Sequence, residues 1–89
     1  MKNPSWVRFG QNIRRRREEL GLTREGLVSR MDGQAGERSP GQRAPDVSTI
    51  ARWERGEQCP RVANVLLLCE VLGTTPEELG YPRPLRRRR

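Results

Sequence analysis

Residues 46–56 read DVSTIARWERG, and this stretch decides how the rest of the chain must be arranged. Asp46 is suited to cap a helix, because its carboxylate accepts bonds from the free N–H groups of the first turn and complements the positive end of the dipole. Gly56 is suited to end it, since glycine adopts the left-handed conformation without strain. Between them Ile50 and Trp53 stand three apart and share a face. Val47, Ser48 and Arg52 fall on other faces and point outward. A helix this short, with so few apolar residues, is not held by its own propensity. Something must be packed beneath it.

Downstream, 57–60 reads as a turn and 61–72 is the most apolar segment of the chain. Val62, Val65, Leu68, Cys69 and Leu72 predict one core face at 3.6-residue periodicity. Leu67 and Val71, four apart, fall on a different face. Gly73 stops this helix. The run TPEE at 75–78 starts a last short one, with proline at the first helical position and acids in the first turn, and Leu79 closes the core. The remainder, 81–89, reads as an extended basic tail ending in four arginines. Those arginines read as solvated charge adding nonspecific attraction.

Upstream, 32–45 reads DGQAGERSPGQRAP, with three glycines, two prolines and no large apolar residue. That is loop chemistry, and the helix before it is expected to end near Asp32 and Gly33. A loop of this length is unusual in a small domain. Its charges nearly cancel, Asp32 and Glu37 against Arg38 and Arg43, which favours a flexible spacer over a basic finger. The preceding helix starts at the cap Thr23, with Arg24 and Glu25 behind it, and shows Leu27, Val28 and Met31 on its apolar face. Gly26 inside it costs about 1 kcal/mol relative to alanine. Before that, Trp6, Phe9, Ile13 and Leu20 recur at helical spacing, Gly21 ends the pattern, and Leu22 anchors the turn. Arg14, Arg15, Arg16 and Arg17 cover more than one face, so at least one of them is not simply solvated. Residues 1–5 are expected to form a loose arm, 6–80 one domain, and 81–89 the tail.

The chain has 89 residues, enough for one domain with a modest core. Its net charge is +7, and Lys2 is its one lysine among 18 basic residues. This balance points to a polyanion, nucleic acid before an anionic membrane. No stretch has the length of a transmembrane span and the start lacks a secretory signal, so a cytoplasmic location is expected. Cys59 and Cys69 are isolated thiols and there is no histidine, which argues against a metal site or a disulfide framework. Cys69 fits a small core residue. Histidine, a paired-carboxylate cleft and a phosphate-cradling glycine loop are all missing, so no catalytic residue, no cofactor and no enzymatic activity is expected.

The words IRRRREELGLTREGLVSRM (13–31), STIARWERGEQCP (48–60) and VANVLLLCEVLGTTPEEL (62–79), in this order over five short helices, resemble the phage repressor and Cro family of helix-turn-helix proteins, also called the xenobiotic-response-element family. The resemblance runs over 9–79 apart from the loop. It implies an all-α, five-helix, lambda-repressor-like DNA-binding domain whose helix-turn-helix is interrupted by a long loop. In that family the helix after Thr23 braces against DNA and the helix after Asp46 enters the major groove.

Three departures from the family pattern bear on this. The usual tight turn of about four residues is replaced by 32–45. Arg24 stands where glutamine is usual, which strengthens phosphate binding. Val47 stands where a polar residue usually opens the recognition helix, which shifts readout toward methyl contact.

Carried across by position, the resemblance implies that Val47, Ser48 and Arg52 face base edges and that Thr23, Arg24, Thr49, Arg55 and Arg61 meet phosphates. It also implies that Arg17 pairs with Glu54 and that Leu27, Met31, Ile50, Trp53, Val65 and Leu72 are core. A small single module makes few base contacts, so a homodimer on double-stranded DNA is expected, with Leu67, Val71, Tyr81 and Leu85 as candidate dimer contacts. The function expected is a repressor-like transcriptional regulator. Two alternatives stand beside it: an antitoxin whose protein partner is a toxin, and an interaction adaptor that keeps the fold without reading DNA.

Overall fold

The computed structural model describes residues 4–38 and 44–82. Five helices follow one another: α1 (Pro4–Glu19), α2 (Arg24–Arg38), α3 (Val47–Glu54), α4 (Val62–Leu72) and α5 (Pro76–Leu79). Helix α1 packs on α3 and α5, α2 packs on α3 and α4, and α4 packs on α5. The core between them holds Trp6, Phe9, Ile13, Leu27, Met31, Ala35, Ile50, Trp53, Val65, Leu67, Leu68, Cys69, Leu72 and Leu79. This is an all-α, five-helix, lambda-repressor-like domain.

The helix ends follow local chemistry. Thr23 Oγ1 accepts from the Gly26 amide at 2.9 Å and caps α2. Asp46 Oδ1 accepts from the Thr49 amide at 2.8 Å and caps α3. Thr75 and Glu78 form a reciprocal capping box at the start of α5, with Pro76 in its first turn. At the other ends, Gly73 and Gly80 are left-handed C-caps of α4 and α5. Two carboxyl ends are also closed from α1: Arg16 Nε donates to the Leu72 carbonyl at 2.9 Å, and Asn12 Nδ2 donates to the Leu79 carbonyl at 2.8 Å. Each satisfies a carbonyl that the helix itself leaves open.

The structure departs from the sequence expectations in four places. Helix α2 does not stop near Gly33 but runs to Arg38, so the first half of the expected loop is helical. Tertiary contacts override the poor helix propensity there: Ala35 is fully buried, and Gln34 donates to Glu70 of α4 at 3.1 Å. Of the connection to α3, residues 44–46 are described and are not helical. At the amino end α1 begins at Pro4, inside the expected arm, because proline suits a first helical turn. Leu20, expected on the apolar face of the first helix, lies past its end and is exposed.

The fourth departure is the burial of α4. Leu67, assigned to a face off the core, is 1% exposed, while Val62, assigned to the core, is 48% exposed. Helix α4 has α2 and α5 against it, so its buried arc from Leu67 to Cys69 spans about 200° at 100° per residue. A periodicity that assumes one narrow stripe misplaces both residues.

The tail begins inside the fold. Tyr81 sets its ring 5.6 Å from Trp6 and 5.5 Å from Phe9, and Trp6 and Phe9 meet edge to face at 5.6 Å. Aromatic pairs of this kind add about 0.5–1.5 kcal/mol each beyond area burial.

Candidate nucleic-acid interface

Helix α3 is seated from below by close backbone packing against α1. A Cβ on Gly10 would stand 2.6 Å from the Glu54 carbonyl oxygen and closer still to that of Trp53. At the end of α3, Gly56 has φ +74°, and a Cβ there would stand 2.8 Å from Val7 Cα. Glycine at both positions lets the two backbones touch, and Gly56 also supplies the left-handed turn. Ile50 and Trp53 bury themselves into the core on the same side.

Glu54 completes the seat. It is 5% exposed and Arg17 is 8% exposed. Arg17 Nε donates to Glu54 Oε2 at 2.7 Å and Nη2 to Oε1 at 3.2 Å, a bidentate pair. The third nitrogen of Arg17, Nη1, donates to the Leu22 carbonyl at 2.9 Å. The bond to Glu54 raises the Arg17 pKa above its ordinary value, against the opposing effect of burial, so the guanidinium stays charged. The pair joins α1, the α1–α2 turn and the end of α3.

With Ile50 facing the core, the outward face of α3 follows from the helical repeat. Ser48 and Arg52 lie about 160° from Ile50 on either side of the opposite pole, and Arg55 lies beside them at about 140°. All three are exposed. The Arg52 side chain makes no hydrogen bond among the described residues and approaches Asp46 closely enough to help lower that carboxyl's pKa. The larger causes of that lowering are the Asp46 bonds to the Thr49 side chain and amide. Val47 stands only about 60° from Ile50 and is half-buried, at the inner edge of this face rather than on it.

The residues expected at phosphates are placed as follows. Thr23 is exposed and its hydroxyl oxygen is engaged by the Gly26 amide. Thr49 is half-exposed and turned toward Asp46. Arg55 is exposed and pairs with Glu57 at 3.1 Å, an interaction that solvent and salt weaken. Arg61 is exposed at the start of α4 and makes no side-chain capping bond there. Arg24 is half-exposed and donates from Nε to Glu54 Oε1 at 3.0 Å, a bond with no counterpart among the sequence expectations.

Of the expected dimer contacts, the three among the described residues are drawn toward the core. Leu67 is in the core and Tyr81 is engaged with Trp6 and Phe9, while Val71 is half-buried against the core. Leu85 lies outside the described residues. The large apolar side chains exposed on α4 are instead Val62 and Leu66, one helical turn apart, at 48% and 39%. Among the described residues no group of three or more histidine, cysteine, aspartate or glutamate side chains could hold a metal ion, and no helix is long and apolar enough to cross a membrane.

A capped helix that is fixed on the core by Ile50, Trp53 and Glu54 and presents a polar, cationic face, within this five-helix architecture, defines a DNA-binding helix-turn-helix domain. Comparison with known proteins agrees. A helix-turn-helix family model matches residues 46–79, from the cap of α3 to the last residue of α5. The match does not include α2. The crystal structure of the restriction-modification controller protein C.AhdI from Aeromonas hydrophila is similar to this chain, with a TM-score of 0.68 and 30% identity over 86% of this chain and 98% of that one. The chain belongs to the helix-turn-helix family of DNA-binding regulatory proteins that includes this controller. No curated protein sequence matches it.

Proposed function

We propose that the protein is a sequence-specific transcriptional regulator of the xenobiotic-response-element type, acting in the cytoplasm, with α3 as the helix that reads the major groove. The observation that carries this is the outward pair Ser48 and Arg52 on a helix whose opposite side is locked to the core. Arginine matches O6 and N7 of guanine with two bonds, and serine bonds to either base edge. Val47, at the inner edge of the face, contributes a methyl contact to thymine. Arg24, Arg55 and Arg61, with Thr23 and Thr49, supply phosphate contacts that fix register but carry no sequence information.

The similar solved protein is a controller of a restriction-modification system. That favours a regulatory role over the antitoxin and adaptor alternatives.

Binding as a homodimer follows from the small reading surface. One helix of eight residues offers few base contacts, and two copies on half-sites about one helical turn apart double them. With Leu67 buried, the surface we assign to the second copy is the exposed turn of α4 bearing Val62 and Leu66. Sedimentation of the free and DNA-bound protein tests this, and a monomer in both states refutes it.

The reading as a whole is tested by selecting bound duplexes from random DNA and titrating the selected and a random duplex at two salt concentrations. Specific sites typically bind about 10³-fold or more tighter than random ones. Equal affinity for both duplexes at each salt concentration would leave only the adaptor or a nonspecific polyanion binder.

A further inference from the structure

Glu54 carries one charge and is bonded by two arginines. Arg17 alone neutralises it, holding both carboxylate oxygens, and its remaining nitrogen is spent on the Leu22 carbonyl. Arg24 is therefore not needed for charge balance. It bonds Glu54 Oε1 through Nε at 3.0 Å, and its side chain makes no other hydrogen bond among the described residues. Its side chain is 35% exposed against 1% for that of Glu54. Two guanidinium groups and one carboxylate leave the cluster net positive, and the excess sits on the member that reaches solvent.

Arginine presents five N–H donors in one rigid plane. Fixing Nε fixes that plane and leaves the four donors of the two outer nitrogens for a second acceptor. A fork held in this way loses less freedom on binding than a free one.

We propose that Glu54 is a positioning residue for DNA binding. From beneath α3 it holds the Arg24 guanidinium in the orientation that a DNA phosphate takes with two bonds. One buried carboxylate then sets both the seating of α3 and the aim of the anchor at the start of α2. This rests on the DNA-binding function proposed above and adds to it a coupling between reading helix and anchor.

A double-mutant cycle on DNA affinity, run well below the melting temperature with thermal melts alongside, tests the coupling. Arg24→Ala weakens binding to selected and random duplexes alike. Glu54→Gln weakens binding about threefold or more beyond the loss it causes in the Arg24→Ala protein, where only the seating of α3 through Arg17 is disturbed. Equal losses in the two backgrounds would show a carboxylate that acts only on the fold, and overturn the proposal.

If Glu54→Gln does not fold, Arg24→Lys decides. It keeps the charge, and hence the salt slope, but has no planar fork to be fixed. Affinity is expected to fall about threefold or more, and affinity equal to that of the unaltered protein would refute the positioning role. An unaltered protein that binds no duplex would overturn the DNA-binding function and this inference together. An unaltered protein that binds, with additive losses, overturns the positioning alone.

Discussion

The same substitution, glycine to alanine, is expected to have opposite effects at two helical positions. At Gly10 a Cβ would stand 2.6 Å from the Glu54 carbonyl oxygen, where ordinary contact begins at 3.4 Å, so that oxygen alone must retreat by about 0.8 Å. The Trp53 oxygen must retreat further. Both obstacles are backbone, so no change of rotamer relieves them, and α3 can move only by disturbing Ile50, Trp53 and Glu54. Overpacking of this kind costs about 1–3 kcal/mol, and contact with backbone places it toward the upper end. The intrinsic gain of alanine over glycine in a helix is about 1 kcal/mol, leaving a net loss of about 1–2 kcal/mol. At Gly33 nothing lies within 4 Å of the added Cβ, so only the gain of about 0.5–1 kcal/mol remains. For a domain of this size 1 kcal/mol moves Tm by about 4–8 °C. Thermal melts followed by circular dichroism should place Gly10→Ala about 4–16 °C below the unaltered protein and Gly33→Ala a few degrees above it. Gly10→Ala melting at or above the unaltered protein would refute the close α1–α3 approach.

Three further outcomes are expected. Glu54→Ala strips the buried Arg17 of its partner at a typical cost of about 3–5 kcal/mol, whereas Glu57 belongs to an exposed pair. Glu54→Ala should therefore melt well below Glu57→Ala, and equal melting temperatures would contradict the buried pair. The bonds from Thr49 hold the Asp46 pKa below its ordinary value. The charged cap's contribution is therefore complete above about pH 4 and is lost as pH falls through the lower folded value. Asp46→Asn keeps a cap that does not titrate, so its melting temperature should fall less steeply below pH 4, and parallel curves would contradict this. Finally, burial pushes the Cys69 thiol up to about 11, whereas Cys59 is exposed. One equivalent of iodoacetamide should mark Cys59 in the folded protein, with Cys69 reacting only on unfolding; early modification of Cys69 would contradict its burial.

Most of the fold was written locally. Thr23, Asp46 and Thr75 are caps in sequence and caps in structure, and Phe9, Ile13, Leu27, Met31, Ile50 and Trp53 follow a helical repeat into the core. What sequence reasoning missed depends on what lies across from a residue. Ala35 and Gln34 look like loop residues until α4 lies against them. Leu67 reads as surface unless α4 is known to be packed over more than one stripe. Gly10 is an unremarked helical glycine until the carbonyls of α3 are placed beside it. At the candidate interface, the outward placement of Ser48 and Arg52 follows from Ile50 and Trp53 alone, whereas Val47, read as outward, is half-buried at the inner edge. The Arg24–Glu54 bond needed the relative placement of α2 and α3, which no periodicity supplies.

The claim that α3 reads DNA stands on Arg52. It is exposed opposite Ile50 and its side chain makes no hydrogen bond among the described residues, whereas Arg24 sits at the start of α2 and is held by Glu54. Both carry one charge, so affinity alone does not distinguish them. Site selection from random duplexes with the unaltered protein, Arg52→Ala and Arg24→Ala does. Loss of a bidentate base contact costs about 1–3 kcal/mol on the preferred site and relaxes one position. Loss of a phosphate contact weakens every sequence and lowers the salt slope by about one unit. The expected result is that Arg52→Ala loses preference at a single base pair, a G·C pair, while Arg24→Ala returns the unaltered consensus at lower affinity. An unchanged consensus from Arg52→Ala would contradict the assignment of α3 as the reading helix at that residue.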